Sequence, residues 1–160
     1  MSKILVAYFS ASGVTKNVAE ELSKVEIAEL FEITPETPYT TADLDWKDQQ
    51  SRSTLEMKDI DCRPAVTGQV ENMAQYGTVF VGFPIWWGRE PSVVDTFLDA
   101  YDFAGKKIVP FCTSGGSGIG DTAKRIREIV GAKAMVEEGT RLGGTVSEED
   151  LKTWTAGLGL

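Results

Sequence analysis

The 160-residue chain carries 16 Lys and Arg against 24 Asp and Glu, a formal net charge of −8, with 42% hydrophobic and 25% charged residues. Such a chain can bury a core of its own, its apolar runs are too short to span a bilayer, and its charge disfavours the phosphate backbone of nucleic acid. It has no histidine, which excludes Ser-His and Cys-His nucleophile pairs and imidazole metal sites, and its two cysteines, Cys62 and Cys112, lack the spacing of a zinc site or a disulfide framework.

Lys3 to Phe9 is a continuous apolar run, the pattern of a strand buried on both faces. It is shorter than a secretory apolar region and no small-residue cleavage site follows, so a cytoplasmic location is expected. Val14, Val18, Leu22 and Val25 then recur at helical spacing, and residues 28–33 (AELFEI) form a second strand. A short helix is expected around Val66, Val70 and Met73, before a third strand over residues 78–83. Pro91 suits the first helical position ahead of Val93, Val94, Phe97, Leu98 and Tyr101.

Residues 107–113 (KIVPFCT) make the fourth strand, Ala123, Ile126, Ile129 and Val130 mark a helix, and residues 134–139 a fifth strand. Ser147 followed by Asp150 reads as a capping box for a last helix on Leu151, Trp154 and Leu158. Alternating strands and helices predict a parallel sheet with helices on both faces, as one domain spanning residues 1–160. The exception is a long polar segment, residues 34–66, inserted between the second strand and the second helix. Its Tyr39, Leu44, Trp46, Leu55 and Met57 predict packing on the body, and whether it also covers a ligand stays open.

Three loops carry the functional signal, because ligands of parallel α/β sheets sit beyond the carboxyl ends of the strands. After the first strand, SASGVT (residues 10–15) supplies small residues just before a helix start. Free backbone N–H groups there bind an anion without a lysine, Ser10, Ser12 and Thr15 offer hydroxyls, and Gly13 allows a conformation denied to other residues. The plainer alternative is that these side chains simply cap the helix. After the third strand, Pro84, Ile85, Trp86, Trp87 and Gly88 offer an apolar, aromatic surface suited to a planar ligand, or to rim packing. After the fourth, CTSGGSGIG (residues 112–120) is glycine-rich yet fits neither GxGxxG nor GxSxG. The chain also lacks GxxxxGK[ST], which excludes a nucleoside-triphosphate P-loop.

Together the S-x-[ST]-G-x-T, P-x-W-W and C-T-x-G-G-S-G loops resemble the flavodoxin family, in particular its short-chain bacterial branch. The resemblance covers nearly the whole chain. It implies a three-layer α/β sandwich with a five-stranded parallel sheet of order 2-1-3-4-5, an order taken from that family and not deduced. It implies non-covalent FMN, with the phosphate on Ser10, Ser12, Gly13, Val14 and Thr15. The ring would lie against Pro84, Ile85, Trp86, Trp87 and Gly88 and against the turn of Thr113, Ser114, Gly115 and Gly116. No metal is implied. The expected role is a low-potential electron carrier, because acidic, apolar surroundings disfavour the anionic reduced flavin, and the acidic surface suits basic redox partner proteins. An FMN-dependent NAD(P)H oxidoreductase, quinone reductase-like, is the alternative. Neither nucleic acid nor membrane is an expected partner, and a monomer or weak homodimer is expected.

Overall fold

The computed structural model describes residues 3–114, 116–143 and 146–160. Its centre is a parallel sheet in which β1 (Lys3–Tyr8) pairs with β2 (Glu29–Glu32) on one side and β5 (Tyr76–Pro84) on the other. β5 in turn pairs with β6 (Lys107–Thr113), and β6 with two short segments, β7 (Met135–Val136) and β8 (Thr140–Arg141). The five strands expected from the sequence therefore stand in the order 2-1-3-4-5, with the fifth broken in two. The break faces the stretch between Ile108 and Phe111, where Pro110 has no N–H to donate to a ladder. Gly139 makes the bend, at φ 77°, so close to Pro110 that a Cβ there would lie 2.3 Å from its carbonyl oxygen.

Side chains of the buried strands alternate between two cores. Leu5, Ala7, Phe9, Val79, Val81, Phe83 and Ile108 face α3 (Ser92–Asp99) and α4 (Thr122–Val130), meeting Val93, Val94, Phe97 and Ile126. Val6, Tyr8, Phe80, Val109 and Phe111 face α1 (Val14–Glu26) and α5 (Glu148–Ala156), meeting Val18, Leu22 and Leu151. The layers are thus helices, sheet, helices. The capping box at Ser147 and Asp150 forms as its spacing predicts. Pro91 is the N-cap of α3, in extended conformation (ψ 148°), one residue earlier than expected.

The second helix lies elsewhere than the sequence reading placed it. Val66–Thr67 is a strand, β4, paired antiparallel with β3 (Thr34–Pro35), and Met73–Gln75 is a single 3₁₀ turn. Gly68 at φ 81° interrupts the apolar spacing that reads as helical. The helix instead forms inside the inserted segment, as α2 (Arg52–Lys58), started by Ser51, whose hydroxyl accepts from the Thr54 N–H. Among the described residues, no helix is long and apolar enough to cross a membrane.

Gly82 of β5 lies opposite Phe111 of β6, and a Cβ on it would fall 2.2 Å from the Phe111 ring. Gly82→Ala should therefore destabilise the protein by ~1–3 kcal/mol, the usual cost of overpacking. Urea denaturation checks this, and the added change Phe111→Leu should recover part of the loss.

Candidate functional site

β1, β5 and β6 run side by side in the same direction, so their carboxyl ends open on one edge of the sheet. The chain leaves β1 for β2 on one side and returns at β5 on the other, which makes this edge a topological switch point. Short bonds hold the three exits together. Phe9 N–H donates to Gly82 O at 2.9 Å, and Ile85 N–H donates to Thr113 O at 3.0 Å. The hydroxyls of Thr15 and Thr113 meet at 2.7 Å.

A cleft of about 950 Å³ opens there, lined by Ser12 and Val14 from the first loop, Pro84 to Trp87 from the second, and Thr113, Ser114 and Ser117 from the third. That volume is at the upper end of the ~300–1,000 Å³ usual for small-molecule sites. A smaller cavity of about 320 Å³ lies between Phe31, Val66, Phe97 and Tyr101, and its lining carries no charged side chain. Among the described residues, no group of His, Cys, Asp and Glu is arranged to hold a metal.

The start of α1 is left open. Gly13 is its N-cap at φ 92° and, being a glycine, offers no capping side chain of its own. Ser10 accepts from the Gly13 N–H at 3.0 Å, and among the described residues neither Ser12 nor Thr15 bonds the helix end. The first helical bond runs from Asn17 to Gly13 at 3.1 Å, which leaves the N–H groups of Val14, Thr15 and Lys16 without intrahelical partners. Those donors and the positive end of the helix dipole suit an anion. Ser12 and Val14 are exposed at the cleft, whereas Thr15 is 1% exposed and its hydroxyl is engaged with Thr113. In this arrangement Thr15 fastens two loops together and does not line the cleft.

The two tryptophans have different surroundings. Trp86 sits edge-on to Phe9 (5.7 Å) and Tyr39 (5.5 Å), so neighbours hold its ring. Trp87 is 51% exposed and heads a tight turn in which Trp86 and Arg89 exchange backbone bonds of 3.0 and 3.1 Å. Trp87 and Gly88 have φ of 49° and 76°, the sign pattern of a type I′ turn. A bulky residue pays steric strain in that region, and such strain concentrates at ligand sites. Gly88 also packs against Gly120, where a Cβ would lie 2.3 Å from the Gly88 carbonyl. Gly116 is exposed outside the lining, and Gly115 lies outside the described residues.

The sequence reading missed Leu44, Trp46, Ser53 and Ser117 as lining residues, three of them from the inserted segment. The signal was a Leu and a Trp two positions apart in an otherwise polar run. Arg52 secures that segment. It lies 3.9 Å over the Tyr39 ring, pairs with Glu56 at 2.9 Å, and donates to Thr37 O at 2.7 Å. The Tyr39 hydroxyl donates to Glu56, and burial with that carboxylate raises its pKa. Trp46 is left 67% exposed at the cleft, with the Lys47 ammonium 5.4 Å from its ring.

A doubly wound α/β protein with an anion-ready helix start beside an aromatic cleft is the class that this fold and site define. The chain belongs to the flavodoxin family, whose model, described as Flavodoxin, matches residues 3–158. A candidate flavoprotein from Bacteroides eggerthii DSM 20697 is 41% identical, covering 100% of this chain and 99% of that one, with a TM-score of 0.94. Another from Bacteroides uniformis ATCC 8492 is also 41% identical, covering 97% and 98%, with a TM-score of 0.89. A flavoprotein from Lactobacillus acidophilus NCFM, crystallised in complex with FMN, shares the fold at 21% identity, covering 97% and 99%, with a TM-score of 0.71. No curated protein matches the chain.

Asparagine tolerates positive φ better than tryptophan does. Trp87→Asn is therefore expected to stabilise the ligand-free protein by ~0.5–1 kcal/mol, read by thermal or urea denaturation.

Proposed function

We propose that the protein binds one FMN per chain in this cleft and works as a low-potential electron carrier. The observation that carries this reading is the uncapped start of α1, whose free N–H groups open beside the exposed Ser12. A terminal phosphate matches that donor set, and the apolar wall from Pro84 to Trp87 matches a planar ring system. Ser12, Gly13 and Val14 would hold the phosphate. Trp87, Pro84 and Ile85 would face the ring, with Ser114 and Ser117 at its polar edge.

Bound FMN supplies reversible electron transfer. The chain contributes the rest: it orients the ring, keeps water from its buried face, and sets the cost of adding negative charge. Net charge of −8 raises that cost and favours a low potential, and it also attracts basic partners.

The size of the cleft favours a second reading, an FMN-dependent NAD(P)H oxidoreductase. Trp46 and Leu44 line it from the inserted segment, opposite in origin to the Trp87 turn, so a second planar ligand has an apolar surface to meet.

FMN should bind at least tenfold more tightly than riboflavin, which lacks the phosphate, since hydrogen bonds to a charged group contribute ~1.5–3 kcal/mol. Ser12→Ala should weaken FMN by about 10- to 150-fold while stability changes little, because Ser12 is exposed. Titration of apoprotein followed by flavin fluorescence reads both, and equal affinities would remove the phosphate from the account. Anaerobic stopped-flow mixing of FMN-loaded protein with NADPH separates carrier from enzyme. A carrier is reduced slowly, and complete bleaching within seconds would replace it with the oxidoreductase.

A further inference from the structure

Immediately after the Trp87 turn, the chain buries two carboxyl groups. Glu90 and Asp95, the latter in the first turn of α3, are both 0% exposed. Arg125 of α4 bridges them, with Nε 2.9 Å from Glu90 Oε1 and a terminal nitrogen 2.9 Å from Asp95 Oδ2. Arg89 stands 3.8 and 3.5 Å from the same two oxygens. Arg63, from the connection ahead of β4, is 3.8 Å from Asp95 Oδ2 and 2.5 Å from Asp99 Oδ2. Cys62 lies near Arg63 and Arg89 on the same side, with Glu56 and Asp59.

Every one of the arginine contacts to this pair falls on Glu90 Oε1 or Asp95 Oδ2. The other oxygens, Glu90 Oε2 and Asp95 Oδ1, are fully buried and have no partner among the described residues. Buried polar atoms are rarely left that way, and an orphaned charge is costly. Arg125 sets the two carboxyl groups side by side on neighbouring nitrogens of one guanidinium, where a proton on one would let it bond the other. Two carboxylates cannot do so, because neither has a hydrogen to give. One proton held by the pair removes that like-charge contact and supplies the missing donor.

We infer that Glu90 and Asp95 share a single proton in the native protein, and that this carboxyl–carboxylate pair positions the Trp86–Arg89 turn at the mouth of the cleft. The second half of the inference rests on the FMN reading, and the first does not. The linkage to the turn is short. Arg89, which closes it, donates to Glu90 O and to Met57 O at the end of α2, each at 3.1 Å. Ser92 donates to Glu56 O at 3.3 Å. The cluster therefore joins the turn, the inserted segment, α3 and α4. Releasing the proton to solvent leaves a second negative charge in a place without water, and the turn must shift to relieve it.

Burial, then the hydrogen bond and charge of Glu90, push Asp95 up to about 8 against the pull of Arg125 and Arg63. The folded chain keeps a proton that the unfolded chain has released from about pH 4 upward. Stability contributed by the pair is therefore present at low pH, declines as pH rises toward about 8, and is level beyond.

Glu90→Gln and Asp95→Asn test this, since each keeps a hydrogen-bond donor between the groups and removes the titrating proton. Urea denaturation of apoprotein from pH 5 to 9 reads the first half. The folding constant of wild type relative to either variant should fall by up to about tenfold per pH unit across that window, then level off. Parallel profiles for wild type and variants would overturn the shared proton. If one variant fails to fold, the other carries the comparison. FMN titration reads the second half: the wild-type dissociation constant should rise about tenfold from pH 7 to 9, and in Glu90→Gln less than about threefold. Equal rises in both would overturn the positioning role. Wild type that binds no FMN at any pH would sink the flavin reading, while the apoprotein profiles still decide the proton.

Discussion

β5 is hydrogen-bonded on both of its sides, to β1 along Thr78–Gly82 and to β6 along Thr78–Pro84, and the site depends on that double pairing. Parallel strands end on the same edge, so three loops far apart in sequence leave the sheet next to one another. The pairing tolerates little variation. Gly82 has no room for a side chain against Phe111, and the buried strands carry apolar residues on both faces. A slip of one residue would exchange the two cores.

Once the loops meet, their roles diverge. The first keeps a helix start free of caps, while its buried Thr15 clamps onto Thr113. In the second, Phe9 and Tyr39 hold Trp86, and Trp87 is carried out to the cleft on a strained turn. The third is pinned from outside the cleft by Arg141, which donates to the Ser114 hydroxyl at 2.9 Å and carbonyl at 2.8 Å. Rigid anchors thus surround a few groups left available to a ligand. That division lowers the ordering cost of binding.

Charge is handled in two ways. On the surface, an excess of carboxylates faces water, where each pair of charges counts for little and salt screens the rest. Below the Trp87 turn, charges are packed out of water among arginines from the turn, α4 and the connection ahead of β4. There the low polarity of the surroundings makes every missing partner matter. A carboxyl pair in that place answers to its neighbours more than to bulk pH.

Most of the fold was legible in the chain because it is encoded locally. Apolar runs marked the strands, 3.6-residue spacing marked α1, α3 and α4, and the Ser147 capping box marked α5. The three loops could be named for the same reason, since small, aromatic and glycine-rich residues cluster at strand ends. Other features depend on residues distant in sequence. Apolar spacing around Val66 reads as a helix, but pairing with Thr34–Pro35 makes it a strand, and a short helix with little periodicity hides in the inserted segment. Leu44 and Trp46 reach the cleft only because Arg52, Tyr39 and Glu56 fasten that segment to the body. Likewise, nothing in the local sequence distinguishes Trp86 from Trp87, or tells that Thr15 turns to Thr113. The sequence by itself determined which elements form and where small and aromatic residues gather, because those follow from neighbours a few positions away. Tertiary structure alone decided which side chains face the cleft and which acids lose their water, because those depend on contacts between residues 30 to 100 positions apart.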